Sequence, residues 1–206
     1  MIKRFFVLLC LWACSVSAFA APPHTVLVMG DSLSAGYGID VDHGWVALLR
    51  LKLAQAGYRY DVVNASVSGE TTAGGLDRLP VELAVHHPAI VLIELGANDG
   101  LRGLPTQQMR ANLVKMIELS RRQHAQAAIF EMRLPPNYGE VYVDAFRKSF
   151  AEVARSQKVP MVPFFLAAIA GDPTQFQADG LHPVEAAQPQ LLDAIWPTLR
   201  PLLKKK

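Results

Sequence analysis

Gly30-Asp31-Ser32-Leu33 follows the apolar run Thr25 to Met29, so a serine hydroxyl sits where a buried strand gives way to a turn. A serine there can act as a nucleophile if a base takes its proton. Far along the chain, Asp179-Gly180-Leu181-His182-Pro183 offers an imidazole as that base and a carboxylate to orient it. Their i, i+3 spacing would let Asp179 and His182 meet on one face of a helical turn. Charge developing on an attacked carbonyl also needs hydrogen-bond donors. The Ser32 N–H, the Gly69 N–H and the side-chain amide of Asn98 are the candidates. Gly69 leaves room for substrate beside the backbone, and Asn98 carries two N–H donors. The chemistry these residues suit is acyl transfer through a serine.

Taken singly, each residue has a plainer reading. Asp and Ser are ordinary turn and cap residues after a strand, and a lone loop histidine is usually only that. The combination, each member just past a strand or in a late loop, favours catalysis. Asp31 is expected to bond backbone within its turn, and Asp99 to form a turn before Gly100. Ser34, Ser66 and Ser68 are expected to hydrogen-bond in the loops that shape the pocket. His43, with Asp40 and Asp42, reads as part of a solvated loop. His86-His87 ends a helix before Pro88 and lacks a metal-ligand spacing. Leu33, Leu76, Leu79, Leu101 and Tyr138, with Leu104 and Pro136, flank the candidate site. They are expected to line an acyl groove, with core packing under loops as the equal alternative.

The elements that must position these residues are legible as an alternation. Apolar segments with β-branched character lie at residues 25–29, 60–64, 89–95, 127–132 and 159–164. Helical patterns fall at about 45–56, 75–86, 106–123, 138–157 and 187–203. Near-continuous apolar strands alternating with helices predict a doubly wound α/β domain, a parallel sheet with helices on both faces. Gly57 can end the first helix, Pro88 closes the second, Thr106 can cap the third, and Pro135-Pro136 forbids helix before Tyr138. Ligands of such sheets bind at the carboxyl ends of the strands. Ser32, Gly69 and Asn98 lie just past strands one, two and three, and His182 in the loop after strand five, so all four should converge on one edge.

The chain opens as a targeting segment. Lys3 and Arg4 precede the apolar run Phe5 to Cys14, and Ala18-Phe19-Ala20 is a small-x-small cleavage signal. Residues 1–20 are therefore read as a signal peptide and 21–206 as one exported, periplasmic domain. The apolar run is shorter than the roughly 20 residues a membrane span needs. Cys10 and Cys14 are the only cysteines and both fall in the removed segment. A lipid anchor on Cys14 is the weaker reading, because Trp12 is bulky beside that cut. Loss of Lys3 and Arg4 balances the 20 Lys and Arg against the 18 Asp and Glu, which argues against a nucleic-acid binder. Lys204 to Lys206 reads as a solvated end. A monomer is expected.

Gly30-Asp31-Ser32-Leu33, Gly69, Gly96-Ala97-Asn98-Asp99 and Asp179-Gly180-Leu181-His182-Pro183 resemble, in order, the four blocks of the GDSL, or SGNH, hydrolase family. Asn64-Ala65-Ser66, Asn98 to Gly103 and Arg133-Leu134-Pro135-Pro136-Asn137-Tyr138-Gly139 look like its periplasmic branch of acyl thioesterases, lysophospholipases and arylesterases. The resemblance spans essentially the whole mature chain. It implies a flavodoxin-like, three-layer α/β/α domain with a five-stranded parallel sheet. It also implies Ser32 as nucleophile, Asp179 and His182 as its partners, and Ser32, Gly69 and Asn98 as the oxyanion hole. Neither metal nor cofactor is implied, and the substrates implied are small acyl esters, thioesters and lipid-like molecules. Ala97 departs from the branch, which often has a second glycine there. Two rivals stand beside this reading: a carbohydrate O-deacetylase with the same blocks, and a non-hydrolytic flavodoxin-like binding module.

Overall fold

The computed structural model describes residues 24–205. The expected signal peptide and both cysteines lie outside the described residues.

Five strands form one all-parallel sheet in the order β2-β1-β3-β4-β5: β1 (His24–Gly30), β2 (Tyr60–Asn64), β3 (Ile90–Glu94), β4 (Gln126–Phe130) and β5 (Met161–Val162). Central strands of a covered parallel sheet are buried on both faces, hence their unbroken apolar runs. Val26 to Met29 and Ile90 to Ile93 are all 0% exposed. The connecting helices are α1 (Ser32–Ala35), α2 (Trp45–Gln55), α3 (Thr72–His86), α4 (Ala97–Leu101), α5 (Thr106–Arg122), α6 (Glu140–Gln157) and α7 (Gln188–Leu199). Helix α3 packs on α5 and α5 on α6, while α2 packs on α7, giving the three layers expected. Among the described residues, no helix is long and apolar enough to cross a membrane.

The differences from the sequence reading have local causes. The last strand shrinks to two residues because Pro160 and Pro163 bracket it, and proline cannot donate to a ladder. Helix α3 starts earlier than Gly75, because Thr71 caps it by accepting from the Gly74 N–H at 3.4 Å. Thr106 is the first residue of α5, with Pro105 in the cap position. Pro136–Tyr138 forms a 3-10 turn, and α6 begins only after Gly139. Helix α7 passes into a 3-10 turn at Arg200–Leu202, where Pro201 lacks the N–H to continue it. Gly57 lies just past α2 in the left-handed region, as a helix-ending glycine should. Short α1 and α4 escaped the periodicity argument, being too brief to show a period.

Candidate active site

Strand β1 ends at Gly30 and the chain turns at once into α1, with Ser32 as its first residue. Asp31 caps this turn by accepting from the Leu33 N–H at 3.0 Å, the backbone role expected of it. The leading N–H groups of a helix have no partner within it, so the Ser32 N–H is available beside its own hydroxyl. After β2 the chain stays alongside β1: the Ala65 and Val67 N–H groups donate to the Val28 and Gly30 carbonyls at 2.9 and 3.0 Å. This extension carries Gly69 towards Ser32, and both line one cavity. Gly69 takes φ +79°, a conformation that side chains resist, and the Arg102 guanidinium pins its carbonyl at 2.8 Å. Strand β3 leads into α4, whose first turn holds Asn98.

His182 Nε2 lies 2.8 Å from Ser32 Oγ, and His182 Nδ1 lies 2.7 Å from Asp179 Oδ2. The predicted helical turn around Asp179 and His182 is absent. Asp179 instead folds its own loop back, its Oδ1 accepting from the Leu181 and His182 N–H groups at 2.9 and 3.0 Å. The His182 backbone and side-chain bonds and the Leu181 N–H, all favouring the ionised form, hold the Asp179 carboxyl down at about 2. A carboxylate only accepts, so the Nδ1 proton faces it and Nε2 is left to accept from the serine hydroxyl. Gln177 clamps the His182 loop to the loop after Ser32, donating through Nε2 to the Tyr37 carbonyl at 2.7 Å and the Pro183 carbonyl at 3.1 Å. The Tyr37 ring packs on the imidazole, centroids 4.5 Å apart.

Beneath the turn lies a residue that periodicity passed over. Glu94, the last residue of β3, is 0% exposed; its Oε2 accepts from Ser34 Oγ at 2.6 Å and from the Asp31 N–H at 3.2 Å. Burial, then the charge of Asp31, raises its carboxyl well above the usual range. A lone carboxylate within Ile90 to Leu95 was the one signal in the sequence. Asp99 is also buried and does more than turn the chain. Its Oδ2 accepts from the Thr72 N–H at 2.8 Å and its Oδ1 from Thr72 Oγ1 at 2.6 Å, strapping α4 to α3. Of the loop serines, Ser34 donates to Glu94, whereas Ser66 Oγ is buried without a partner. His43 is exposed and paired with Glu185 at 2.8 Å.

A cavity of about 510 Å³ opens on these groups, within the usual size of small-molecule sites. Ser32, Gly69, Asn98 and His182 all line it, with Leu33 and Leu101. Its apolar wall comes largely from the loops after β4 and β5: Met132, Leu134, Phe164, Leu166 and Phe176. Leu76, Leu79 and Tyr138 do not line it. Helix α3 turns Leu79 fully into the core and packs Leu76 against it. Tyr138 spends its hydroxyl on the Leu101 carbonyl at 3.1 Å, supporting a lining residue rather than being one. Among the described residues no group of three His, Cys, Asp or Glu side chains is arranged to hold a metal ion.

A model of the GDSL-like lipase/acylhydrolase family matches residues 28–188, which span every one of these groups. The chain belongs to that family. As a GDSL-like acylhydrolase it is a carboxylic ester hydrolase. It is 52% identical over 183 residues to Esterase TesA of Pseudomonas aeruginosa, covering 89% of this chain and 91% of that one. It is 41% identical over 184 residues to the Escherichia coli K12 protein named thioesterase 1/protease 1/lysophospholipase L1, covering 89% and 87%. A crystal structure of TesA superimposes with a TM-score of 0.85 at 52% identity, over 87% of this chain and 100% of that one. The GDSL-like fold of this chain is thus the sheet order and layering described above.

Proposed function

We propose that this protein hydrolyses medium-chain or longer acyl esters and thioesters, including lysophospholipid-like substrates, through an acyl-enzyme on Ser32. Ser32 Oγ attacks the carbonyl carbon while His182 Nε2 takes the hydroxyl proton. The Ser32 N–H, the Gly69 N–H and Asn98 Nδ2 receive the oxyanion. The C–O or C–S bond then breaks, His182 protonates the leaving alcohol or thiol, and water repeats the sequence to free the acid. The observation that carries the reading is the run of contacts from Asp179 through His182 to Ser32, 2.7 and 2.8 Å, opening on an apolar cavity. That apolar lining favours an acyl chain over the acetyl group of an O-deacetylase substrate. The breadth of the substrate class is suggested by the names of the Pseudomonas and Escherichia relatives.

Ser32→Ala tests the mechanism. Hydrolysis of p-nitrophenyl acyl esters is expected to vanish with the circular dichroism spectrum unchanged, and turnover that survives refutes the assignment. Export to the periplasm, with the mature chain beginning at Ala21, is supported by the basic start, apolar run and Ala18-Phe19-Ala20 signal. N-terminal sequencing of protein released from the periplasm is expected to read Ala-Pro-Pro-His, and an intact Met1 would contradict it.

A further inference from the structure

Two carboxylates are buried side by side under the nucleophile, and the acyl-transfer steps use neither. Asp31 is 1% exposed and Glu94 0%. Asp31 Oδ1 is committed to the Leu33 N–H, while its Oδ2 accepts from Asn98 Nδ2 at 3.1 Å. An asparagine side chain is nearly symmetric in shape, so a half-turn about its last bond exchanges donor for acceptor at little steric cost. At an oxyanion the two faces are opposite in effect: Nδ2 stabilises the charge and Oδ1 repels it. Something must choose between them. An ionised carboxylate can only accept, so Asp31 admits only the arrangement with Nδ2 towards it, leaving the second Nδ2 hydrogen for the cavity that Asn98 lines.

We propose that Asp31 is a positioning residue: its carboxylate selects the donor face of the Asn98 amide and so keeps the oxyanion site competent. This rests on the acyl-enzyme reading above. Glu94 supports the same arrangement from β3. With its Oε2 taking the Asp31 N–H and the Ser34 hydroxyl, it fixes the backbone from which Asp31 reaches Asn98. Burial, then the charge of Asp31, raises the Glu94 carboxyl well above the usual range, so of the pair Asp31 ionises more readily.

Burial raises Asp31 to about 6, against the Leu33 N–H, His182 and Asn98, which lower it, and with Asp99, which raises it. The titratable groups facing it are therefore Glu94 from β3, Asp99 from α4 and His182 from the last loop. A protonated Asp31 gains a donor of its own, which suits Asn98 Oδ1, and the selection is lost. Acid thus disarms the oxyanion site through Asp31, separately from any effect on the base.

The test is a double-mutant cycle on an acyl ester. Asp31→Asn keeps size and shape, but with its oxygen held by the Leu33 N–H it turns an amide donor towards Asn98, so the selection of the donor face is lost. We expect kcat to fall about 10- to 100-fold with KM within about twofold. In the Asn98→Ala background, where no amide remains to orient, the same substitution should cost less than about threefold. An unchanged kcat in the single variant, or an equal loss in both backgrounds, overturns the proposal. A second measurement needs Asp31 intact. In ¹⁵N-labelled His182→Ala protein, free of the imidazole's titration, the Asn98 side-chain amide resonances should shift with a midpoint near or above 6. A pH-invariant amide overturns the proposal even if Asp31→Asn does not fold. This titration does not depend on Ser32, so turnover surviving in Ser32→Ala would sink the acyl-enzyme reading and leave the orientation of Asn98 to be judged by itself.

Discussion

A methyl group on Gly30 would lie 2.6 Å from Glu94 Oε2 and from Ser34 Cβ, inside two groups that are hydrogen-bonded to each other. The glycine before Asp31 is there because the floor of the Ser32 turn leaves no room for a side chain. Gly30→Ala is expected to cost about 1–3 kcal/mol of stability, as overpacking does, and to lower kcat by displacing Ser32. Urea unfolding and ester assays on one preparation check both. Asp179 answers a different need. Held at about 2, it stays ionised through the range in which Asp31 titrates, so the orienting charge on His182 does not change there. Asp179→Asn would favour the wrong imidazole tautomer, and at least about a 100-fold loss of kcat is expected. A smaller loss would mean that the Gln177 clamp and Tyr37 packing orient His182 by themselves.

Between elements, the site depends on polar anchors rather than on helix length. Helix α4 has only five residues, and Asp99 fastens it to Thr72 at the start of α3, where Asn112 of α5 also donates to Thr72 Oγ1 at 3.0 Å. Asp99→Ala would strand the Thr72 N–H and hydroxyl in a dry interior, a loss of about 2–3 kcal/mol. It should also lower kcat, because Asn98 is the neighbouring residue. Glu94 joins β3 to the turn after β1 at an opposite electrostatic cost. A buried acid whose folded value is raised contributes fully below its unfolded value, and that contribution is lost as pH rises. Relative to wild type, Glu94→Gln should therefore gain stability as pH climbs from 5 to 8, read by urea unfolding at both pH values. A difference independent of pH would contradict a raised Glu94 carboxyl.

For the whole molecule, the apolar wall of the cavity lies on the β4 and β5 side of the sheet edge, not on the α3 side that Leu76 and Leu79 suggested. Ala170 lines the cavity and is itself exposed, so a larger side chain there fills space without disturbing the core. Ala170→Trp is expected to reduce kcat/KM for dodecanoyl esters at least about tenfold, while butanoyl esters stay within about twofold. An unaltered chain-length profile would show that the acyl chain runs elsewhere.

Strand alternation, parallel pairing and convergence of Ser32, Gly69, Asn98 and His182 were legible in the chain, because buried strands must be apolar and sheet ligands gather at strand ends. Element ends were less so, where prolines trimmed β5 and Thr71 lengthened α3. The amino-acid sequence by itself determined which side chains can donate, accept or attack, since that is a property of residue type. Only the tertiary structure decided the protonation and orientation of those groups. Glu94 is raised and Asp31 set at about 6 by burial that no local pattern encodes. Asp179 meets His182 through a loop turned on its own carboxylate, not through a helical face. Such properties arise from contacts between residues up to 150 positions apart, as for His182 and Ser32, and they exist only once the sheet has brought the strand ends together.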